Sequence, residues 1–194
     1  MNFATLRRAV ADCRKKYPAL SAESLPIDMV GFLEIDLRIS LIPVPALRTR
    51  HGVDAALIPD GSGIYVDEAS YVGLDTNPPW LSHRLRFTLA HEFAHWILHR
   101  DGPAALRWAS IGDFAVSLCS IDRETEREAD EFAGQLLVPA EVLSSELAKR
   151  PMTVAIRTNP AARRYFAEQV APRFGVNSVV VEIRLDREGI WPAF

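Results

Sequence analysis

A chain of 194 residues, 48% hydrophobic, 24% charged and 9% aromatic, suits one folded domain with a substantial core, and this composition excludes disordered, collagen-like and disulfide-stapled classes. Its 22 Lys and Arg against 25 Asp and Glu leave a net charge of -3, without the basic field of a dedicated nucleic-acid binder, so direct nucleic-acid binding is not expected. Cys13 and Cys119 stand too far apart for a disulfide framework or a Cys-rich metal site and read as reduced, buried thiols.

The N-terminus is charged from Arg7 to Lys16 and has no apolar core of a signal peptide, and no run reaches the ~18 apolar residues of a membrane span. A cytoplasmic protein with no membrane partner is therefore expected. Phe3, Leu6, Val10, Cys13 and Tyr17 recur at helical spacing, which predicts an amphipathic helix over 3–16, closed by Pro18. From Leu33 to Val44 apolar and polar residues alternate as in a half-buried strand. VDAALIP and GIYVD follow, separated by Asp60-Gly61-Ser62-Gly63, which completes a small antiparallel sheet with a glycine turn.

Thr76-Asn77-Pro78-Pro79 reads as non-helical, with Ser82 as N-cap of a helix over about 83–100 that Gly102 and Pro103 stop. A second helix starts at Asp122 or Arg123, with Glu124 and Glu126 in its acidic first turn, and runs to about Val138 before Pro139. Two shorter helices are expected at 140–149 and 161–173. After the turn Phe174-Gly175-Val176-Asn177, the segment SVVVEIRLDREG is helix or strand on propensity alone.

His91-Glu92-Phe93-Ala94-His95 is an HExxH on the first of the long helices. Residues four apart share a helix face about 6 Å apart, so both imidazoles can reach one metal ion, while Glu92, one step round, leans toward a water beside it. A catalytic zinc takes a third protein ligand and keeps one position open. His99 lies about 12 Å along the axis from His91, too far to share a tetrahedral ion, and reads as a helix C-terminal residue facing the last carbonyls or solvent.

The second helix offers Glu126, which shares one side with Asp130, Ala133 and Leu137, whereas Glu128 points roughly 200° round the axis from Glu126. Small Ala129 and Ala133 let this helix approach the HExxH helix. The expectation is one Zn2+ per chain held by His91, His95 and Glu126, with Glu92 catalytic and Asp130 hydrogen-bonded to the far nitrogen of a ligating histidine. Glu124, Glu128 and Glu131 are read as a solvated acidic face.

RFTLAHEFAHWILH, followed after a gap by EREADEFAGQLLVP, resembles the ImmA/IrrE family of metallo-endopeptidases over about residues 25–145. The resemblance implies a zincin-like α+β fold in which His91, His95 and Glu126 match the zinc ligands and Glu92 the catalytic acid, with Asp130 where many relatives carry Asn. It also implies a site-specific protease that cleaves a helix-turn-helix repressor and so derepresses phage, mobile-element or stress-response genes.

The reading divides the chain into a metallopeptidase domain over 1–150 and a helical, helix-turn-helix-like C-terminal segment over 151–194. Residues 150–194 carry seven Arg against four acids, which suits a docking surface. Strand Gly63–Asp67 is the candidate open edge for an extended substrate, and Tyr65, Tyr71 and His83 are candidate oxyanion partners. Two alternatives stay open: a non-proteolytic zinc module that sequesters a repressor, and a general intracellular peptidase.

Overall fold

The structure is a computed structural model that describes residues 1–58, 60–74, 76, 78–99, 123–150 and 158–191. Helix α1, Phe3–Lys16, begins at Asn2, whose side chain accepts from the Thr5 N–H at 2.9 Å, and buries Leu6, Val10 and Cys13. Burial, eased by Lys16, pushes the Cys13 thiol up to about 11, so this cysteine is an inert core group.

The alternating pattern after Leu33 does not form the expected long strand. Helix α2, Met29–Gly31, runs into a single wide turn at Phe32–Asp36, and strand β1 covers only Ser40–Val44. Packing overrides the alternation: Phe32 and Leu33, neighbours in sequence, are both buried, and the Phe32 ring sits edge-on to Tyr17 at 5.3 Å and Phe93 at 5.1 Å. A strand would send two adjacent side chains to opposite faces.

Helix α3, Leu47–His51, connects β1 to β2, Ala55–Leu57, and the glycine turn leads back to β3, Gly63–Asp67. The β2–β3 pair is antiparallel, as expected. The β1–β3 pair is parallel, so the sheet is mixed, in the order β1-β3-β2, and not antiparallel throughout. Strand β3 is therefore the central strand, and its assignment as the open substrate edge is corrected: both of its sides are paired, and β2 is an edge of the sheet among the described residues.

Helix α4, Glu68–Val72, precedes α5, Pro79–Leu98, which starts earlier than expected. Pro79 is its first residue, because proline at that position forfeits only an N–H that has no intrahelical partner. The expected stop at Gly102 and Pro103, Cys119 and the start at Asp122 lie outside the described residues. Helix α6, Arg123–Leu137, packs along α5, with Ala90 and Ala94 of one and Ala129 and Ala133 of the other fully buried.

Helices α7, Ala140–Ala148, α8, Pro160–Phe174, and α9, Ser178–Arg187, complete the described chain. SVVVEIRLDR is thus helical, entered through Asn177 in an extended conformation. Phe166, Phe174, Val181, Leu185 and Trp191 belong to the same hydrophobic cluster as Leu6, Ile64, Phe93 and Phe132. Gly175 ends α8 at φ +60, and a Cβ there would lie within 3 Å of the Arg86 guanidinium, which donates to the Gly175 carbonyl at 2.5 Å and the Ile27 carbonyl at 2.9 Å. No described helix is long and apolar enough to cross a membrane.

Candidate metal centre

Helix α5 buries Leu89, Ala90, Phe93 and Ala94 against the sheet and α6, and the four-residue spacing turns His91 and His95 together toward α6. His91 Nε2 and His95 Nε2 are 3.0 Å apart. Glu126 reaches in from α6, with Oε2 3.2 Å from His91 Nε2 and Oε1 3.2 Å from His95 Nε2. Among the described residues, His91, His95 and Glu126 are the group whose donor atoms converge closely enough to hold a metal ion.

The donor set fits zinc. Bonds of 2.0–2.1 Å in a tetrahedron place donor atoms about 3.3 Å apart, close to the observed edges of the triangle, and nitrogen and carboxylate oxygen are suitable zinc ligands. Glu92 is 8% exposed, and its Oε2 accepts the Leu57 N–H of β2 at 2.7 Å. Burial raises the Glu92 pKa, opposed by the nearby His91 and His95.

Asp130 Oδ1 lies 2.9 Å from His91 Nδ1, the nitrogen turned away from the triangle. Burial alone would lower the His91 pKa, but the bonds to Asp130 and Glu126 dominate and raise it to about 10. Glu126 moves the other way: burial would raise it, while His91 and His95 hold it far below the usual carboxylate range.

Three side chains, those of His99, Glu128 and Glu131, have surroundings other than the sequence predicts. His99 is a helix C-terminal residue, the C-cap of α5, but its side chain faces neither the last carbonyls nor solvent: Nδ1 lies 3.0 Å from His95 Nδ1 and Nε2 3.0 Å from Glu128 Oε2. Glu128 is accordingly not part of a solvated face, and its other oxygen pairs with the Met1 amine. The buried stripe of α6 is Thr125, Ala129, Phe132, Ala133 and Leu136, and at 100° per residue Glu126 and Glu128 fall roughly 80° to either side of it. Opposite directions from the helix axis thus become opposite flanks of one contact with α5. The signal in the sequence was His99 itself, four residues beyond His95 and so on its face.

Glu131, also read as solvated, receives the buried Arg184 at 2.8 Å. None of the oxyanion candidates meets the triangle. Tyr71 donates its hydroxyl to Glu34 at 3.3 Å, Tyr65 packs with Val53, Ala56 and Ile58 apart from the main core, and His83 lies about two turns before His91. Burial and neighbouring Arg86 lower the His83 pKa. His83 instead lines a cavity of about 470 Å³ between α5, α6 and α9, whose wall includes Asp130.

Among curated proteins none matches the chain. A family model does: the one described as Peptidase_M78, IrrE N-terminal-like domain, matches residues 82–186, from the first turn of α5 to the end of α9. That span holds the histidine pair, Glu126 and the helices packed around them, and on it the chain belongs to the Peptidase_M78 family of IrrE N-terminal-like, metallopeptidase-type domains.

Proposed function

We propose that this protein is a zinc-dependent endopeptidase that hydrolyses a specific peptide bond in a cytoplasmic helix-turn-helix repressor and so derepresses the genes that repressor controls. The observation that carries the proposal is the triangle of His91, His95 and Glu126, with edges of 3.0–3.2 Å, beside the buried carboxyl of Glu92. His91, His95 and Glu126 would hold the zinc, which when bound would supply a Lewis acid able to acidify water and polarise the scissile carbonyl. Glu92 takes the proton of the attacking water and returns it to the departing amine, and burial, which raises its pKa, makes it a better proton acceptor than an exposed carboxylate.

Strand β2 is the substrate edge in this reading. Asp67 donates its N–H to the Asp54 carbonyl at 2.8 Å and Ile58 donates to Gly63 at 2.9 Å, so the antiparallel pattern turns the peptide groups of Ala55 and Leu57 away from β3. The Leu57 N–H on that side is taken by Glu92, so an extended segment adding there would pair with the peptide groups of β2 other than this N–H, next to Glu92. Specificity comes from α9: Val179 and Ile183 are 55% and 50% exposed at the cavity beside Asp130, with Arg127 and Arg187 also in its wall, a surface matched to apolar side chains flanked by acidic groups.

The test is incubation of the zinc-loaded protein with purified helix-turn-helix repressors from the same genome. One repressor cut at a single bond by wild type and not by Glu92→Gln supports the reading. Casein digested as fast as any repressor makes the protein a general peptidase, and equal cleavage by both forms removes the hydrolase.

A further inference from the structure

The two histidines of the triangle are held from behind in different ways. Asp130 touches His91 Nδ1 directly, at 2.9 Å. Behind His95 the contact is a second imidazole, and among the described residues no carboxylate is in direct contact with His95 Nδ1: His95 Nδ1 lies 3.0 Å from His99 Nδ1, and His99 Nε2 lies 3.0 Å from Glu128 Oε2. The side chains of His95, His99 and Glu128 are 12%, 10% and 13% exposed, so water has little access to compete for these bonds.

The proton positions along this chain follow from its end. A carboxylate only accepts, so His99 Nε2 must carry the hydrogen. A neutral imidazole has one N–H, which leaves His99 Nδ1 as an acceptor and obliges His95 Nδ1 to donate to it. His95 then has its lone pair on Nε2, the atom 3.2 Å from Glu126 Oε1 and 3.0 Å from His91 Nε2. A ring flip or tautomer change at His95 breaks the chain at its first bond.

We propose that His99 and Glu128 are positioning residues, which through two hydrogen bonds in series hold the His95 ring with Nδ1 protonated and its Nε2 lone pair directed into the His91–Glu126 triangle. The inference rests on the triangle being a metal site, and not on which protein is cleaved. It makes Glu128 the counterpart of Asp130: each carboxylate of α6 orients one histidine of α5, one by contact and one through an intervening ring.

The experiment is a zinc competition titration against a chromophoric chelator, with His99→Leu, His99→Gln and Glu128→Leu in the full chain, together with long-range 1H–15N spectra of the histidine rings of the zinc-loaded wild type. His99→Leu and Glu128→Leu are expected to weaken zinc binding by about 10–100-fold, the loss typical of such outer partners. His99→Gln keeps an acceptor for His95 and a donor for Glu128 in one side chain and is expected to recover most of that loss, which simple packing at this position does not explain.

The wild-type spectra are expected to show His95 bound through Nε2 with a slowly exchanging Nδ1–H, and they remain informative if a leucine variant fails to fold. Zinc affinity unchanged in a folded His99→Leu protein, or His95 coordinated through Nδ1, overturns the proposal. A protein that binds zinc in this manner yet cleaves no repressor leaves this inference intact and removes only the proposed substrate.

Discussion

The Leu57 N–H donates to Glu92 Oε2 at 2.7 Å, which ties the outward-facing side of β2 to the second residue of the HExxH. This bond orients the buried carboxyl, while the packing of α5 on β2 holds the sheet edge beside the histidine pair. In the proposed function, this contact places the β2 edge beside the carboxyl assigned to proton transfer.

Glu92→Gln is expected to retain zinc and fold, because the amide oxygen of glutamine can still accept the Leu57 N–H. Cleavage of the partner should fall by roughly 10²–10⁴-fold, the usual share of a general base. Metal analysis and single-turnover cleavage of the same preparation check both halves; loss of zinc in this variant makes Glu92 a ligand or a structural residue instead.

Purified wild type should contain one zinc per chain after dialysis, and His95→Ala or Glu126→Ala should contain almost none. Asp130→Ala is expected to keep the site but weaken it by about 10–100-fold through the freed His91 ring. Glu126→Ala that retains full zinc while Glu128→Ala loses it would show that the wrong carboxylate has been placed at the metal.

Protonation of the metal-free site gives a signed pH dependence. The folded pKa of His91 is raised to about 10 from its ordinary 6.5, so its stabilising contribution is complete below about 6.5 and is lost as the pH rises toward 10. Glu126 is depressed, so its contribution is present above its ordinary 4.5 and lost as the pH falls well below that. Chelator-treated protein should therefore lose melting temperature from pH 6.5 to 10, and His91→Ala should flatten that limb. Zinc displaces the His91 proton, so its affinity should rise about tenfold per pH unit below 10 where one proton is released.

Arg184 is 2% exposed, donates to Glu131 at 2.8 Å and also pairs with Glu188, itself only 5% exposed. Arg184→Leu leaves two sheltered carboxylates without this cation and should cost about 3–5 kcal/mol in urea denaturation. An effect below 1 kcal/mol would mean that Arg7 and Arg187, which also contact Glu188 and Glu131, replace it.

Ile183→Asp, on the exposed face of α9, should leave zinc content and melting temperature unchanged while raising the KM for the partner about tenfold or more. Deleting the C-terminal helices is a poor test of docking, since Phe166, Phe174, Val181 and Leu185 are core residues and their removal would unfold the protein. A change in kcat alone in Ile183→Asp would place its effect on chemistry and not on docking.

Local periodicity made the helices and their faces legible. His91 and His95 share a face because they are four apart, Glu126 falls beside the stripe of α6 for the same reason, and α1, α5 and α6 follow from the spacing of their apolar side chains. Partners across the fold left no such mark. Phe32 and Leu33 are helical because Tyr17 and Phe93 surround Phe32, and β1 lies parallel to β3 because of a connection whose direction no alternation encodes.

Sequence alone points to β3 as the substrate edge, since the period of a strand does not say which neighbour covers it. Glu128 was placed opposite Glu126 by an angle that was correct, but whether the far side of a helix meets solvent or a neighbour depends on where α5 crosses it. His99 and Glu128 are 29 residues apart in the chain, and only the packing of α5 on α6 brings the second carboxylate within a hydrogen bond of the ring behind His95.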